Sequence, residues 1–136
     1  MLKARRLILA VLAAGSLAPL LGMQRLIAAF SDAATPEARP LAAQLVSLLR
    51  ARDSAAALGH VYLAAMPEEA TADRLVALIL PGRRAGEDSV LGDRQLRAML
   101  GERHRSDFAS GRTVVLHGWI LSRTEARLYA LSALTT

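Results

Sequence analysis

A short basic segment followed by an uninterrupted apolar run opens the chain, and this feature constrains the fold most. Arg5 and Arg6 lie in the basic segment, and residues 7–21 after them carry no charge. This layout is typical of an export signal or an N-terminal membrane anchor. A membrane-spanning helix needs at least about 17 apolar residues, and residues 7–23 only just reach that length. We therefore exclude residues 1–30 from the globular core.

Three fates of this leader stay open: a cleaved export signal, a retained anchor in contact with the inner membrane through residues 7–23, or an ordinary buried helix. Small residues at Ser31 and Ala33 favour cleavage after Ala33. The positive-inside rule keeps the N-terminus in the cytoplasm and sends the rest across the membrane. We expect a periplasmic protein if the leader is cleaved, and an inner-membrane protein if it is not.

The arginine pair also suggests an export route. Arg5 and Arg6, followed by apolar residues, resemble the twin-arginine export consensus and are its candidate signal residues. The segment departs from that consensus at Ala4, where Ser or Thr is usual, and at Ile8, where Phe is usual. Arg25, a positive charge beyond the apolar run, fits this class better than the general secretory route. A plain secretory leader is the alternative.

The charge of the body argues against nucleic acid as a partner. Four of the 17 basic residues and none of the 12 acidic residues lie in the first 30 positions, so residues 31–136 carry 13 basic and 12 acidic side chains. A nucleic-acid-binding protein keeps a basic face on its folded part. The chain has no cysteine, which excludes a disulfide, a thiolate nucleophile, an iron–sulfur cluster and c-type haem attachment.

The rest of the chain predicts a mostly α fold: a small bundle of four or five short helices with one short extended segment at about residues 113–117. Two prolines mark residues 34–39 as a linker between the leader (1–33) and the helical domain (40–136). Apolar residues then recur at helical spacing between Gly- and Pro-rich breaks. The expected helices are 40–52, 53–65, 67–80, one from Asp93 that is either short or runs on past Gly101 towards Phe108, and 123–134.

The C-terminal part carries the most specific local signals. Residues 113–116 are the strand-like run of the body. This strand could pair with residues 89–91, with residues 120–121, or with the edge of a partner's sheet. Ser122 and Glu125 have the spacing of a capping box, in which each side chain bonds the other residue's amide at the start of a helix.

A family resemblance rests on the same region. Residues 107–128 contain Gly118-Trp119, Leu121-Ser122 and Thr124-Glu125-Ala126 in a GWxLSxTEA pattern. Behind an arginine-pair leader, this pattern resembles a group of small exported proteobacterial proteins of unknown function. Some small proteins with such leaders accompany larger periplasmic oxidoreductases. The resemblance therefore implies an accessory role.

Few residues suggest chemistry. The histidine spacings fit no metal-binding pattern, and no phosphate loop or nucleophile elbow is present, so we expect no cofactor and no enzyme. His104 and Asp107, three residues apart, could be a base and its orienting carboxylate. With Glu125 they form the alternative hypothesis of a small periplasmic enzyme, which requires the three side chains to converge. Glu68 and Glu69 are interpreted as acids of a first helical turn.

The leading hypothesis is an exported, non-catalytic accessory protein that binds a larger periplasmic partner, such as an oxidoreductase. Trp119 and Phe108 are two of only five aromatic residues, so each should anchor either the core or an interface. The other alternative is a membrane-anchored helical domain with a structural role. The candidate partner-binding residues are Trp119, Phe108, Arg112, Arg123 and Arg127; the alternative for the arginines is pairing with Asp107 and Glu125.

Overall fold

The computed structural model describes residues 39–135, and this range is mostly helical, as the sequence predicts. Within it the chain forms five α-helices, one 3₁₀ turn and one two-stranded sheet. The predictions for the leader, including Arg5 and Arg6, and for the linker up to residue 38 lie outside the described residues. The elements in chain order are α1 (Leu41–Ser47), α2 (Arg52–Ala65), the 3₁₀ turn (Pro67–Glu69), α3 (Ala72–Ile79), α4 (Asp93–Ala109), β1 (Thr113–Leu116), β2 (Trp119–Ser122) and α5 (Arg123–Thr135).

Helix α5 is the central element, in contact with each of the other four helices and with both strands. Its Ala126, Ala130 and Leu131 are fully buried. The sequence pattern predicts a single apolar stripe that also includes Tyr129 and Ala133, but both of these residues are only half-buried. The buried surface is broader than one stripe because neighbouring elements pack on several sides of α5.

Helix α2 packs on α5 through small residues. Ala55, Ala56 and Gly59 are buried on this face, together with Tyr62, which is fully buried. The sequence predicts a face of Leu58, Val61, Tyr62 and Ala65. Leu58 and Val61 pack partly buried against the core and Tyr62 is fully buried, but Ala65 is exposed. Small side chains allow two helix backbones to approach closely, which explains why Ala55, Ala56 and Gly59 lie on this face beside Tyr62.

The segment between α3 and α4 is an exposed loop, as predicted, and it supports the start of α1. Pro40 precedes α1 and provides no side-chain cap. The amides of Leu41 and Ala42 instead donate to the carbonyls of Glu87 and Ala85 at 2.9 and 3.0 Å. These bonds satisfy amides that a helix N-terminus leaves without partners, so the loop acts as the cap of α1.

Two helices are shorter than the sequence predicts. Helix α1 ends at Ser47 and not near residue 52, and α3 starts later than residue 67. The acids after Pro67 belong to a separate 3₁₀ turn, and α3 begins only after Thr71, whose hydroxyl accepts from the Arg74 amide at 3.2 Å.

Helix α4 is the longer of the two expected forms, since its 17 residues run on past Gly101 to Ala109. Gly111 follows it with a φ of 68°, a left-handed conformation that glycine adopts at helix ends.

Strands β1 and β2 form an antiparallel hairpin with Val115 opposite Ile120 and Leu116 opposite Trp119. Of the pairings that the sequence leaves open, the one with residues 120–121 is confirmed. His117 and Gly118 connect the strands with φ values of 47° and 81°. Two consecutive positive φ angles define a type I′ turn, which matches the twist of a two-residue hairpin. The strand therefore ends at Leu116, and His117 belongs to the turn.

Candidate functional site

The tip of the hairpin exposes three large apolar side chains. Val115 and Ile120 are each 64% exposed, and Trp119 is 67% exposed. Residues directly opposite in an antiparallel pair share a face of the sheet, so Val115 and Ile120 lie together on one face. Trp119 shares the other face with Leu116, which is buried. We call Val115, Trp119 and Ile120 the hairpin tip; it is apolar on both faces.

The hairpin tip also has open backbone groups. The Arg123 amide donates to the Arg112 carbonyl at 3.0 Å, so residues 112 and 123 form a hydrogen-bonded pair just below the strands. Hydrogen-bonded and non-hydrogen-bonded pairs alternate along an antiparallel ladder. The pair Val115–Ile120 is therefore a non-hydrogen-bonded pair, and its N–H and C=O groups point outwards. No backbone group of residues 39–135 pairs with them.

Phe108, the second aromatic residue predicted to bind a partner, lies on α4 and is 44% exposed. Its ring packs edge-on against the ring of His104, with 4.9 Å between centroids and 75° between planes. The ring of Phe108 therefore contacts a residue of its own helix. The sequence motif places Phe108 and Trp119 in one region of the chain, but they belong to different elements.

The three candidate arginines have different environments. Arg112 is half-exposed and pairs with Asp107 at 3.0 Å, which is the alternative that the sequence offers for it. Arg127 pairs with Glu69 and not with Glu125. Arg123 lies near the same Glu69 and contributes to lowering its pKa. Of these three arginines, Arg112 is the one with a side chain more than half exposed. It also lies directly before the first strand of the hairpin.

Asp107 caps the start of α5. Its Oδ2 accepts from the amide and the hydroxyl of Thr124 at 2.8 and 2.7 Å, and its Oδ1 accepts from Arg112 Nε at 3.0 Å. Burial acts to raise the pKa of Asp107, but these hydrogen bonds outweigh it and hold the pKa below its ordinary 3.8. The carboxylate is fully engaged in connecting α4, α5 and the strand base.

His104, Ser122 and Glu125 lie close together, but not as a catalytic triad. His104 Nδ1 is 3.0 Å from Ser122 Oγ and 3.9 Å from Glu125 Oε2. A triad uses one ring nitrogen for the nucleophile and the other for the carboxylate, whereas here both partners face the same nitrogen. Ser122 is also fully buried, and its oxygen accepts from the Glu125 amide at 3.0 Å.

Those contacts test the predicted capping box. The Ser122 half is confirmed by its bond to the Glu125 amide. The Glu125 carboxylate does not complete the box as expected, since its Oε1 accepts from the Tyr129 hydroxyl at 2.8 Å. Burial, followed by this hydrogen bond, raises the pKa of Tyr129 to about 12. Glu125 therefore connects the first two turns of α5.

A shallow pocket of about 250 Å³ opens beside this cluster. His104 and Glu125 belong to its lining, and three leucines supply most of its apolar wall, while Asp107 lines a different depression. The alternative enzyme hypothesis requires His104, Asp107 and Glu125 to converge. The structure brings His104 and Glu125 together in this pocket and leaves Asp107 outside it.

Sequence reasoning missed a buried ionic cluster on the other side of α5. Glu69 is 5% exposed, and both its oxygens accept from Arg127, at 2.8 and 2.9 Å. Tyr62 donates to the same carboxylate at 2.6 Å. The Arg127 hydrogen bond is the main cause that lowers the pKa of Glu69, and burial is the main cause that raises that of Tyr62. The available signal was the i, i+4 spacing of Arg123 and Arg127. Two like charges at that spacing are unfavourable, so the pair indicates a nearby acidic partner.

No group of three or more His, Asp or Glu side chains within residues 39–135 is arranged to hold a metal ion. No helix among these residues is both long enough and apolar enough to cross a membrane.

No known protein family, no curated protein and no solved structure matches the chain.

Proposed function

We propose that this chain is an exported, non-catalytic accessory protein that binds a larger periplasmic partner, such as an oxidoreductase, through its hairpin tip. The observation that carries the proposal is the exposure of Val115, Trp119 and Ile120, each about two-thirds accessible. Complete burial of one such side chain contributes about 1.5–3 kcal/mol. Tryptophan is also enriched among the residues that dominate binding energies.

The shape of the hairpin tip defines the partner surface. Apolar side chains on both faces require a cleft, because a flat surface would cover only one face. The open N–H and C=O groups of the Val115–Ile120 pair favour a partner that supplies a strand edge in that cleft. A type I′ turn at His117 and Gly118 holds the tip in one conformation, which lowers the entropic cost of binding.

The export part of the proposal rests on the leader and is tested separately. Replacing Arg5 and Arg6 by lysine in the full chain, with a C-terminal tag, should retain the protein in the cytoplasm if the twin-arginine route is used. Deleting the twin-arginine translocase should have the same effect. Unchanged periplasmic accumulation after the deletion would contradict this route and leave a plain secretory leader.

The binding part is tested by site-specific photo-crosslinking of the full chain in cells. A photoreactive residue at position 120 should give one discrete protein adduct, and Trp119→Ala should abolish that adduct. Val90 is 86% exposed in the loop before α4, so a photoreactive residue there is the matched control. Equal adducts from positions 90 and 120 would contradict the proposal. An adduct with a second copy of the chain would indicate self-association, and an adduct with lipid alone would indicate membrane contact. Either result would contradict binding to a larger protein partner.

The affinity between the purified chain and its identified partner then gives the contribution of the hairpin tip to binding. Trp119→Ala should weaken binding of the identified partner at least tenfold, which corresponds to about 1.4 kcal/mol. Val90→Ala should leave the affinity unchanged. The enzyme alternative is not favoured, because Asp107 is engaged with Thr124 and Arg112 and lies outside the pocket of His104 and Glu125.

A further inference from the structure

The pocket beside His104 combines an apolar wall with one available carboxylate oxygen. Leu49, Leu100 and Leu128 form most of the wall, and Glu125 lies in the lining. Oε1 of Glu125 accepts from the Tyr129 hydroxyl. The nearest basic group to Oε2 is His104 Nδ1 at 3.9 Å, a distance too long for a hydrogen bond.

The charge of this pocket is distinctive in an arginine-rich chain. Other carboxylates with an ion pair in residues 39–135 face an arginine: Glu69, Glu87, Glu102 and Asp107. Glu125 instead faces an imidazole that carries charge only when protonated, and the described residues that line the pocket include no lysine or arginine. Within residues 39–135, the negative charge of this site has no lysine or arginine paired with it.

We propose that this pocket binds a small organic ammonium with an apolar body. The ammonium would donate to Oε2 of Glu125, and the body would lie against the leucines. Tyr129 also lines the pocket, and aromatic rings attract cations. A cavity of about 150 Å³ accommodates benzene, so a volume of about 250 Å³ suits an aryl or cycloalkyl amine of roughly seven to twelve non-hydrogen atoms.

Gly101 offers a way to close the pocket without removing a contact. It lines the cavity, and a Cβ built on it meets no heavy atom of the surrounding structure within 4 Å. Gly101→Leu should therefore extend a side chain into the pocket while α4 keeps its backbone. Leucine is also a better helix former than glycine, so the variant should remain folded.

The experiment is an amide NMR titration of the full chain with 2-phenylethylammonium, 2-phenylethanol and phenylacetate as probes. The ammonium should shift the amides of residues 100–101 and 124–125 and bind at least tenfold more tightly than the alcohol or the carboxylate. Glu125→Gln should weaken ammonium binding at least tenfold. Glu102→Gln is the matched control, since Glu102 lies exposed on α4 and pairs with Arg105; it should change the affinity less than twofold.

Gly101→Leu should abolish ammonium binding. This second variant keeps the proposal testable if Glu125→Gln disturbs the fold. Three results would overturn the proposal: equal binding of the three probes, unchanged affinity in Gly101→Leu, or no shift of the pocket amides at millimolar ammonium. This site lies apart from the exposed hairpin tip, so Trp119→Ala should not alter amine binding.

Discussion

The backbone of Gly59 on α2 lies against the carbonyl of Tyr129 on α5. A Cβ placed on Gly59 would lie 2.1 Å from that oxygen and 2.9 Å from the Cα of Ala130. Real Cβ atoms do not occupy such positions, and the obstacle is backbone that cannot rotate away. Glycine at this position is therefore what permits the close packing of the two helices.

Gly59→Ala should destabilise the protein by about 2 kcal/mol or more, because overpacking a helix contact forces the backbones apart. Urea unfolding followed by circular dichroism measures the change. Gly101→Ala is the matched control, a glycine in α4 with free space around it. That variant should gain about 0.5–1 kcal/mol from helix propensity. The same sign of change in both variants would contradict the interpretation of Gly59.

The role of Gly59 illustrates what the sequence could and could not predict. Helical spacing predicted the five helices, and the Ser122 cap was evident because it bonds an amide only three residues away. Gly59 had only the local appearance of a weak helix position. Its real environment is created by Tyr129, 70 positions later in the sequence, and no local pattern contains that contact.

The candidate site shows the same division. The strand at residues 113–116 followed from local signals, whereas its pairing with residues 120–121 was one of three alternatives and an exposed Trp119 one of two. The pairing of Glu69 with Arg127 did not follow from local signals, since the partners are separated by 58 residues. The sequence placed Glu69 in the first turn of a helix, with no buried partner. The structure buries it because Tyr62 and Arg127 satisfy both of its oxygens.

Glu69→Gln should destabilise the protein by about 3–5 kcal/mol, because it leaves the largely buried Arg127 without its counter-charge. Chemical denaturation at neutral pH provides the measurement. Glu68→Gln is the control. The side chain of Glu68 is exposed, so this substitution should change the free energy of unfolding by no more than about 0.5 kcal/mol. Comparable losses in both variants would show that the Glu69–Arg127 pair has no special stabilising role.

Stability should fall in acid through Asp107 and Glu69. Their folded-state pKa values lie below the ordinary 3.8 and 4.5. The stability they contribute is therefore complete above those ordinary values and is lost as the pH falls through the lower folded-state values. Unfolding free energies measured by urea from neutral pH down to about pH 3 test this dependence.

Asp107→Asn isolates one of the two groups. The variant should be less stable than the parent by about 1–3 kcal/mol at neutral pH, and the difference should shrink towards low pH as Asp107 of the parent becomes protonated. Asp88→Asn, at an exposed position in the loop before α4, should show no such convergence. A constant gap between Asp107→Asn and the parent at every pH would contradict the assigned role.

The two tyrosines of the chain should resist ionisation in the folded state. Burial is the first cause of the raised pKa of Tyr62 and of Tyr129, the latter to about 12. Their contribution to stability is present below the ordinary pKa of 10.0 and is lost as the pH rises through the folded-state values. Ultraviolet titration should show little tyrosinate in native protein near pH 10, whereas urea-unfolded protein titrates there. Superimposed titration curves would contradict this expectation.

The hairpin turn offers a stabilising substitution that also bears on the proposed function. His117 adopts a φ of 47° directly before Gly118, and Asn-Gly is the preferred pair for a type I′ turn. His117→Asn should therefore stabilise the protein by about 0.5–1 kcal/mol, since asparagine tolerates the left-handed region better than most residues. Thermal unfolding of the two proteins measures the gain.

His60→Asn provides the control for that turn, because His60 is exposed in the middle of α2 and has no positive φ to relieve. It should give no gain in stability. His117→Asn should also keep partner binding intact, because the substitution preserves the conformation that presents Trp119 and Ile120. Lost binding together with raised stability would mean that the partner contacts the His117 imidazole itself, and the binding surface would then have to include the turn.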